Sequence, residues 1–185
     1  LIDVGVETYT AQTFSSRRYE LWTMRSTYHN LPVINGFEQL PGKEHRATRA
    51  QYYRDGKGST VCFELSEAYP PEAGIQKWER IYYLGRDPQP TVQIRDRFRL
   101  VYTRSIQLVL MLPQEPRIGP GLLSLQAGTE TVKLFYDQGR WKPSWEPVSI
   151  TDPLLEACWG QQIYRLCLTM VEPRPEGEIT LTLQR

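Results

Sequence analysis

The sequence predicts an all-β fold, an antiparallel two-sheet β-sandwich with at most one short helix. Three observations predict it. Apolar and polar residues alternate with period two along most of the 185 residues, as half-buried strands require. The alternating runs are short and separated by Gly, Asp and Pro turns. Helix-start chemistry is confined to one place, Asp152-Pro153, where an N-cap aspartate precedes a proline at the first helical position.

In chain order, the first expected strand is 19–24, rich in aromatics, followed by 60–65, 78–84, 91–94 and 98–103. Residues 106–112 are apolar at nearly every position and end at Pro113, which suits a strand covered on both faces. Further strands are expected at 122–127, 131–136, 148–150, 163–171 and 179–183. Turns fall at Asp55-Gly56-Lys57-Gly58, Gly85-Arg86-Asp87-Pro88 and Asp137-Gln138-Gly139, and Pro70 and Pro71 favour a loop over 66–74. Residues 1–185 read as one domain, with a minor seam near 101–105, beyond which 113–128 is richer in Gly and Pro. The opening residues, Leu1-Ile2-Asp3-Val4-Gly5, read as a strand end and its turn. A strand already under way at residue 1 implies upstream sequence and an incomplete N-terminal edge.

Composition narrows the function classes. Lys plus Arg is 22 and Asp plus Glu is 21, a net charge of +1, so no nucleic-acid footprint is expected. No apolar run approaches the ~20 residues needed to span a bilayer, so no membrane partner is expected. Cys62, Cys158 and Cys167 are odd in number and form no C-x-x-C pair. That excludes a zinc ribbon and favours free thiols. No G-x-S-x-G or H-E-x-x-H motif and no calcium loop is present.

The candidate site lies in Tyr28-His29-Asn30-Leu31-Pro32-Val33-Ile34-Asn35-Gly36-Phe37-Glu38-Gln39. It holds one of only two histidines, with amides spaced as if toward a ligand. The plainer reading of His29 is a turn histidine bonded to backbone. His45, among Lys43, Glu44 and Arg46, reads as a solvated loop residue. Arg17 and Arg18 beside Tyr19 and Trp22 supply forks for carboxylate and faces for a sugar. They are also ordinary strand residues. Arg95, Arg97 and Arg99 share one strand face, and cross-strand pairing with acids is preferred there over anion binding. Trp141-Lys142-Pro143-Ser144-Trp145 reads as a loop that would expose both rings.

With Asp3-Val4-Gly5, Tyr9, Arg17-Arg18-Tyr19, His29-Asn30 and Gln39 in this order, the chain resembles the C-terminal β-sheet region of heparinase II/III-like polysaccharide lyases. Members of that bacterial family join an N-terminal helical toroid to C-terminal antiparallel sheets. The resemblance implies β-elimination on an acidic, uronate-containing polysaccharide. The tyrosine base and the carboxylate-binding asparagine would lie in the helical domain, so no turnover is expected from this chain alone. It implies substrate contacts at His29, Asn30, Asn35, Gln39 and Arg18. It also implies a zinc clamp with Asp3 and His29 as two ligands and a third upstream of residue 1, and no metal held by this chain by itself. The implied partners are acidic polysaccharide and the helical domain of the same protein. An exposed N-terminal edge would favour a homodimer, and the location would be periplasmic or secreted. Two other classes are a carbohydrate-binding module using Trp141 and Trp145, and a purely structural β-domain.

Overall fold

The computed structural model describes residues 1–86, 88–127 and 129–185. Asp87 of the expected Gly85–Pro88 turn and Gly128 lie outside the described residues. The strands are β1 (Pro32–Ile34), β2 (Thr48–Arg54), β3 (Gly58–Glu64), β4 (Ile75–Gly85), β5 (Thr91–Leu100) and β6 (Ile106–Leu112). They continue as β7 (Arg117–Gly119), β8 (Leu122–Ala127), β9 (Glu130–Phe135), β10 (Trp141–Ser149), β11 (Gln162–Met170) and β12 (Glu176–Gln184). One helix, α1 (Pro153–Trp159), starts at the Asp152 cap, whose carboxylate accepts from the Leu154 and Leu155 N–H groups. Two antiparallel sheets result, one of four strands in the order β1-β6-β11-β10 and one of eight in the order β2-β3-β4-β5-β12-β9-β8-β7. The two-sheet sandwich is as the sequence predicts.

The main core fills the space between the sheets. It includes Trp78, Phe98, Ile106, Leu108, Leu110, Leu112, Leu123, Leu134, Leu166 and Leu168. A second cluster lies on the outer side of the four-stranded sheet, where Val109, Met111, Ile163 and Cys167 meet Val4, Ile150 and Leu155. Trp22 and Tyr28 complete that cover. β6 is therefore buried on both faces, which is why its apolar run is nearly unbroken. Residues 101–105 connect β5 of the eight-stranded sheet to β6 of the four-stranded one.

Several expectations need correction. Residues 19–24 are not a strand but part of a chain of 3-10 turns, Arg18–Glu20, Trp22–Met24 and Ser26–Tyr28. Their N–H groups bond three residues back, Met24 to the Leu21 carbonyl at 3.0 Å and Arg25 to that of Trp22 at 3.1 Å, instead of across a ladder. The expected strands 91–94 and 98–103 merge into one continuous β5 that ends at Leu100, and 101–103 lie in the connection that follows. The Trp141–Trp145 segment is not an exposed loop: it begins β10, where Trp141 is 3% exposed and Trp145 packs against the main core. Pro143 and Pro147 are tolerated because β10 is an edge strand. A sugar platform built on those two tryptophans is therefore excluded.

One buried feature had no counterpart in the sequence reading. Arg80 on β4 faces Asp96 on β5 between the sheets, with a fork of bonds at 2.7 and 2.6 Å. Its remaining Nη1 donates to the Asn30 carbonyl at 2.7 Å. Burial alone would lower the guanidinium pKa, but the Asp96 carboxylate more than reverses this and holds it above its ordinary value.

Candidate functional site

The site is built from the loop segment 1–31, the 3-10 turns within it, and the stretch that follows β1. Asp3 and Gly5 form an Asx turn: the Gly5 N–H donates to Asp3 Oδ1 at 3.0 Å, and Gly5 takes a φ of 83°. This leaves Oδ2 turned toward His29, whose Nδ1 lies 3.4 Å away. The other ring nitrogen, Nε2, sits 3.1 Å from the Thr23 carbonyl. A carbonyl only accepts, so Nε2 carries a proton. In the neutral ring Nδ1 then aims a lone pair at a carboxylate oxygen. Two acceptors facing each other are stabilised by a second ring proton or by a cation between them.

The spacing tests the zinc fit. Ligands about 2.0–2.2 Å from zinc at the tetrahedral angle lie roughly 3.3–3.6 Å apart, and the observed 3.4 Å falls in that range. The bonds from Gly5 and to Thr23 are the kind of outer partners that orient metal ligands. Asp3 and His29 thus fit half of a tetrahedral site. Among the described residues no cluster of three or more His, Cys, Asp or Glu exists that could hold an ion.

The remaining expected residues divide into two groups. Asn30 and Asn35 are spent on the backbone. The Asn30 amide donates to the Ile2 carbonyl at 2.8 Å and accepts from the Met111 N–H at 2.9 Å, pinning the N-terminal segment to β6. Asn35 is 7% exposed; it donates to the Ala73 and Tyr102 carbonyls and accepts from the Arg104 and Ser105 N–H groups. Its φ of 55° is a left-handed value that asparagine tolerates. Both amides position the loop that carries His29 and do not reach the same opening.

Gln39 and His29, by contrast, line one cavity of about 260 Å³, together with Tyr19, Met24, Arg25 and Ser26. Arg18 stands behind its rim: its guanidinium lies 5.4 Å from the Tyr19 ring centroid, and Nη2 reaches Met24 Sδ at 3.7 Å. Its Nε is buried without a partner among the described residues. Sequence reasoning missed Arg25, whose pairing with Glu38 at 2.7 Å closes one side of the cavity. The hydrogen-bonded Glu38 carboxylate raises the Arg25 pKa. Thirteen residues separate the two, and no local motif signals such a pair. The cavity is smaller than the ~300–1,000 Å³ of a complete ligand pocket.

No family model matches the sequence, and no curated protein matches it. Solved structures do. The heparan sulfate lyase HepC from Pedobacter heparinus matches 98% of this chain at TM-score 0.69 and 10% identity. The fold is that of a minor part of heparinase III. A heparinase III gene product with methylated lysines matches at TM-score 0.67 and 16% identity, and a further heparinase III at 0.64 and 14%. The chain spans only 28%, 27% and 27% of those three proteins, so its heparinase III-like β-domain corresponds to about a quarter of their length.

Proposed function

We propose that this chain is the β-sheet region of a lyase that cleaves uronate-containing polysaccharide by β-elimination, and that it walls one side of the substrate cleft. The observation that carries this reading is the match of almost the whole chain to a minor part of heparan sulfate lyases. An open cavity that mixes polar side chains with Tyr19, Met24, Leu31 and Leu40 accords with it.

In β-elimination a base removes the proton next to the uronate carboxylate, the glycosidic bond breaks, and its oxygen leaves with a proton. The chain's own residues serve the steps around this chemistry. Arg18 sets positive charge behind the wall, where a uronate carboxylate is attracted, while Glu38 neutralises Arg25. Tyr19 offers a ring edge, and Gln39 a hydrogen-bonding amide. Asn30 and Asn35 fix the backbone that holds these groups. Zinc bound by Asp3, His29 and a ligand from outside residues 1–185 would serve as a structural clamp. The base and the carboxylate-binding asparagine come from the helical region, so residues 1–185 alone are inactive.

The test is an assay of the encoded protein, with whatever residues flank this chain, on heparan sulfate, read by the ultraviolet absorbance of the unsaturated uronate. Arg18→Ala is expected to raise KM more than it lowers kcat, because it removes binding common to ground and transition states. No unsaturated product from any uronate polysaccharide would refute the lyase reading, and turnover by residues 1–185 alone would refute the division of labour.

A further inference from the structure

The outer face of the eight-stranded sheet carries a straight row of side chains that the cleft does not use. Strand registers place Tyr53 opposite Thr60, Thr60 opposite Tyr83, and Tyr83 opposite Gln93. Gln93 is opposite Thr182, and Thr182 is opposite Phe135. The row crosses β2, β3, β4, β5, β12 and β9. Neighbouring strands lie ~4.8 Å apart, so the two tyrosines are roughly 10 Å apart and Phe135 follows about three strands further on. Tyr53 is 55% exposed and Phe135 38%.

Tyr83 between them is held in a particular way. A Cβ at Gly58 would meet its ring at 2.6 Å, and one at Gly85 would meet it at 3.0 Å. These two glycines pair with each other across β3 and β4. The missing side chains let the Tyr83 ring lie down on the sheet, pinned on one face. A ring laid flat on a sheet is a low-entropy stacking surface, and threonine and glutamine beside it offer hydrogen bonds to hydroxyl groups.

The charge around the row is one-sided. Arg95 occupies the adjacent line on β5, opposite Ile81 and Thr180, and its Nε is buried without a partner among the described residues. Lys133, on the other flank, is exposed and opposite Gln184. The acids of this face stand further away: Glu64, Glu79 and Glu178 share the next line with Arg97, where Glu178 pairs with it at 2.7 Å, and Glu176 stands opposite Arg99 one line beyond. We infer that this row is a second binding surface for an extended acidic polysaccharide, with Tyr53, Tyr83 and Phe135 stacking on sugar rings and Arg95 and Lys133 drawing its anionic groups. It takes its polysaccharide class from this chemistry and stands apart from the cleft wall. His29 and Trp22 lie outside the four-stranded sheet, on the far side of the sandwich.

The experiment is calorimetric titration of residues 1–185 with heparan sulfate oligosaccharides, with a neutral β-glucan as control. The wild type should bind the acidic oligosaccharide and the neutral one more weakly. The double substitution Tyr53→Ala with Phe135→Ala, both exposed and free of core contacts, should weaken binding roughly tenfold and leave the melting temperature unchanged. Arg95→Gln should narrow the preference for the acidic ligand, and Leu154→Ala, an exposed position on α1, should leave the affinity as it was. No binding by the wild type overturns the proposal, as does an affinity that survives the double substitution. Both readouts use binding by this chain alone. A failed lyase assay of the encoded protein therefore refutes the cleft reading without touching this one.

Discussion

Asp96 is the residue whose loss the fold should feel most. It is 1% exposed and holds the Arg80 guanidinium, itself 3% exposed, with a fork of hydrogen bonds. Asp96→Ala leaves a buried cation without its partner, which costs about 3–5 kcal/mol. Urea denaturation should read that loss, and replacing both partners with apolar residues of similar volume should recover most of it. An Asp96→Ala midpoint close to wild type would mean that Arg80 finds water. The His29–Asp3 pair gives a second prediction at this scale. Either His29→Ala or Asp3→Ala should strip zinc from the encoded protein, read by elemental analysis after gel filtration, with little change in melting temperature; zinc retained at full stoichiometry would sink the clamp. That His29 and Asp3 lie close together was legible through the resemblance that set them in order. Arg80–Asp96 was not: a charged residue within an alternating strand looks the same whether it faces water or a partner across the ladder, and only the register of β4 on β5 decides.

Elements were legible where burial imposed a pattern. β6 was readable to the residue because both of its faces are covered, and α1 because Asp152 and Pro153 mark its start. β2 was missed because it is an exposed edge strand with no apolar alternation to betray it. Residues 19–24 misled because aromatic and β-branched residues favour strands, yet here they sit on an already paired sheet, so the backbone satisfies itself in 3-10 turns. The Asp152 cap also ties elements together, because its Oδ2 accepts from the Thr8 N–H at 2.9 Å. Desolvation raises its pKa, but the hydrogen bonds from Thr8, Leu155 and Leu154 outweigh this and hold it below 3.8. A lowered folded-state pKa adds stability that is complete above the unfolded value and fades as pH falls through the folded one. Asp152→Asn should thus be less stable than wild type at neutral pH, and the two melting curves should converge below about pH 3. A gap that persists in acid would assign the effect to geometry instead of charge.

At the scale of the whole molecule, the four-stranded sheet is sealed on its outer side by chain segments and not by a third sheet. Val4, Trp22, Tyr28 and Leu155 supply that cover over Val109, Met111, Ile163 and Cys167. A fully buried aliphatic side chain is worth about 1.5–3 kcal/mol, and domains are stable by only ~5–15 kcal/mol, so deleting residues 1–28 should produce an aggregating chain. A milder substitution keeps the idea measurable. The three thiols are unpaired: Cys158 is exposed, Cys62 half-buried and Cys167 buried. Burial pushes the Cys167 thiol up from its ordinary pKa, which leaves less of the reactive thiolate at neutral pH. Alkylation of the native protein, followed by mass spectrometry, should modify Cys158 first, Cys62 more slowly and Cys167 last. Val4→Ala thins the cover above β6 and β11, and it should speed modification of Cys167 while Cys62, on the far sheet, keeps its wild-type rate. Equal acceleration at both cysteines would mean that the whole sandwich opens as one unit. Acceleration at Cys167 alone would make the N-terminal segment, the same one that carries Asp3 and leads to His29, a cover able to lift from the sheet by itself.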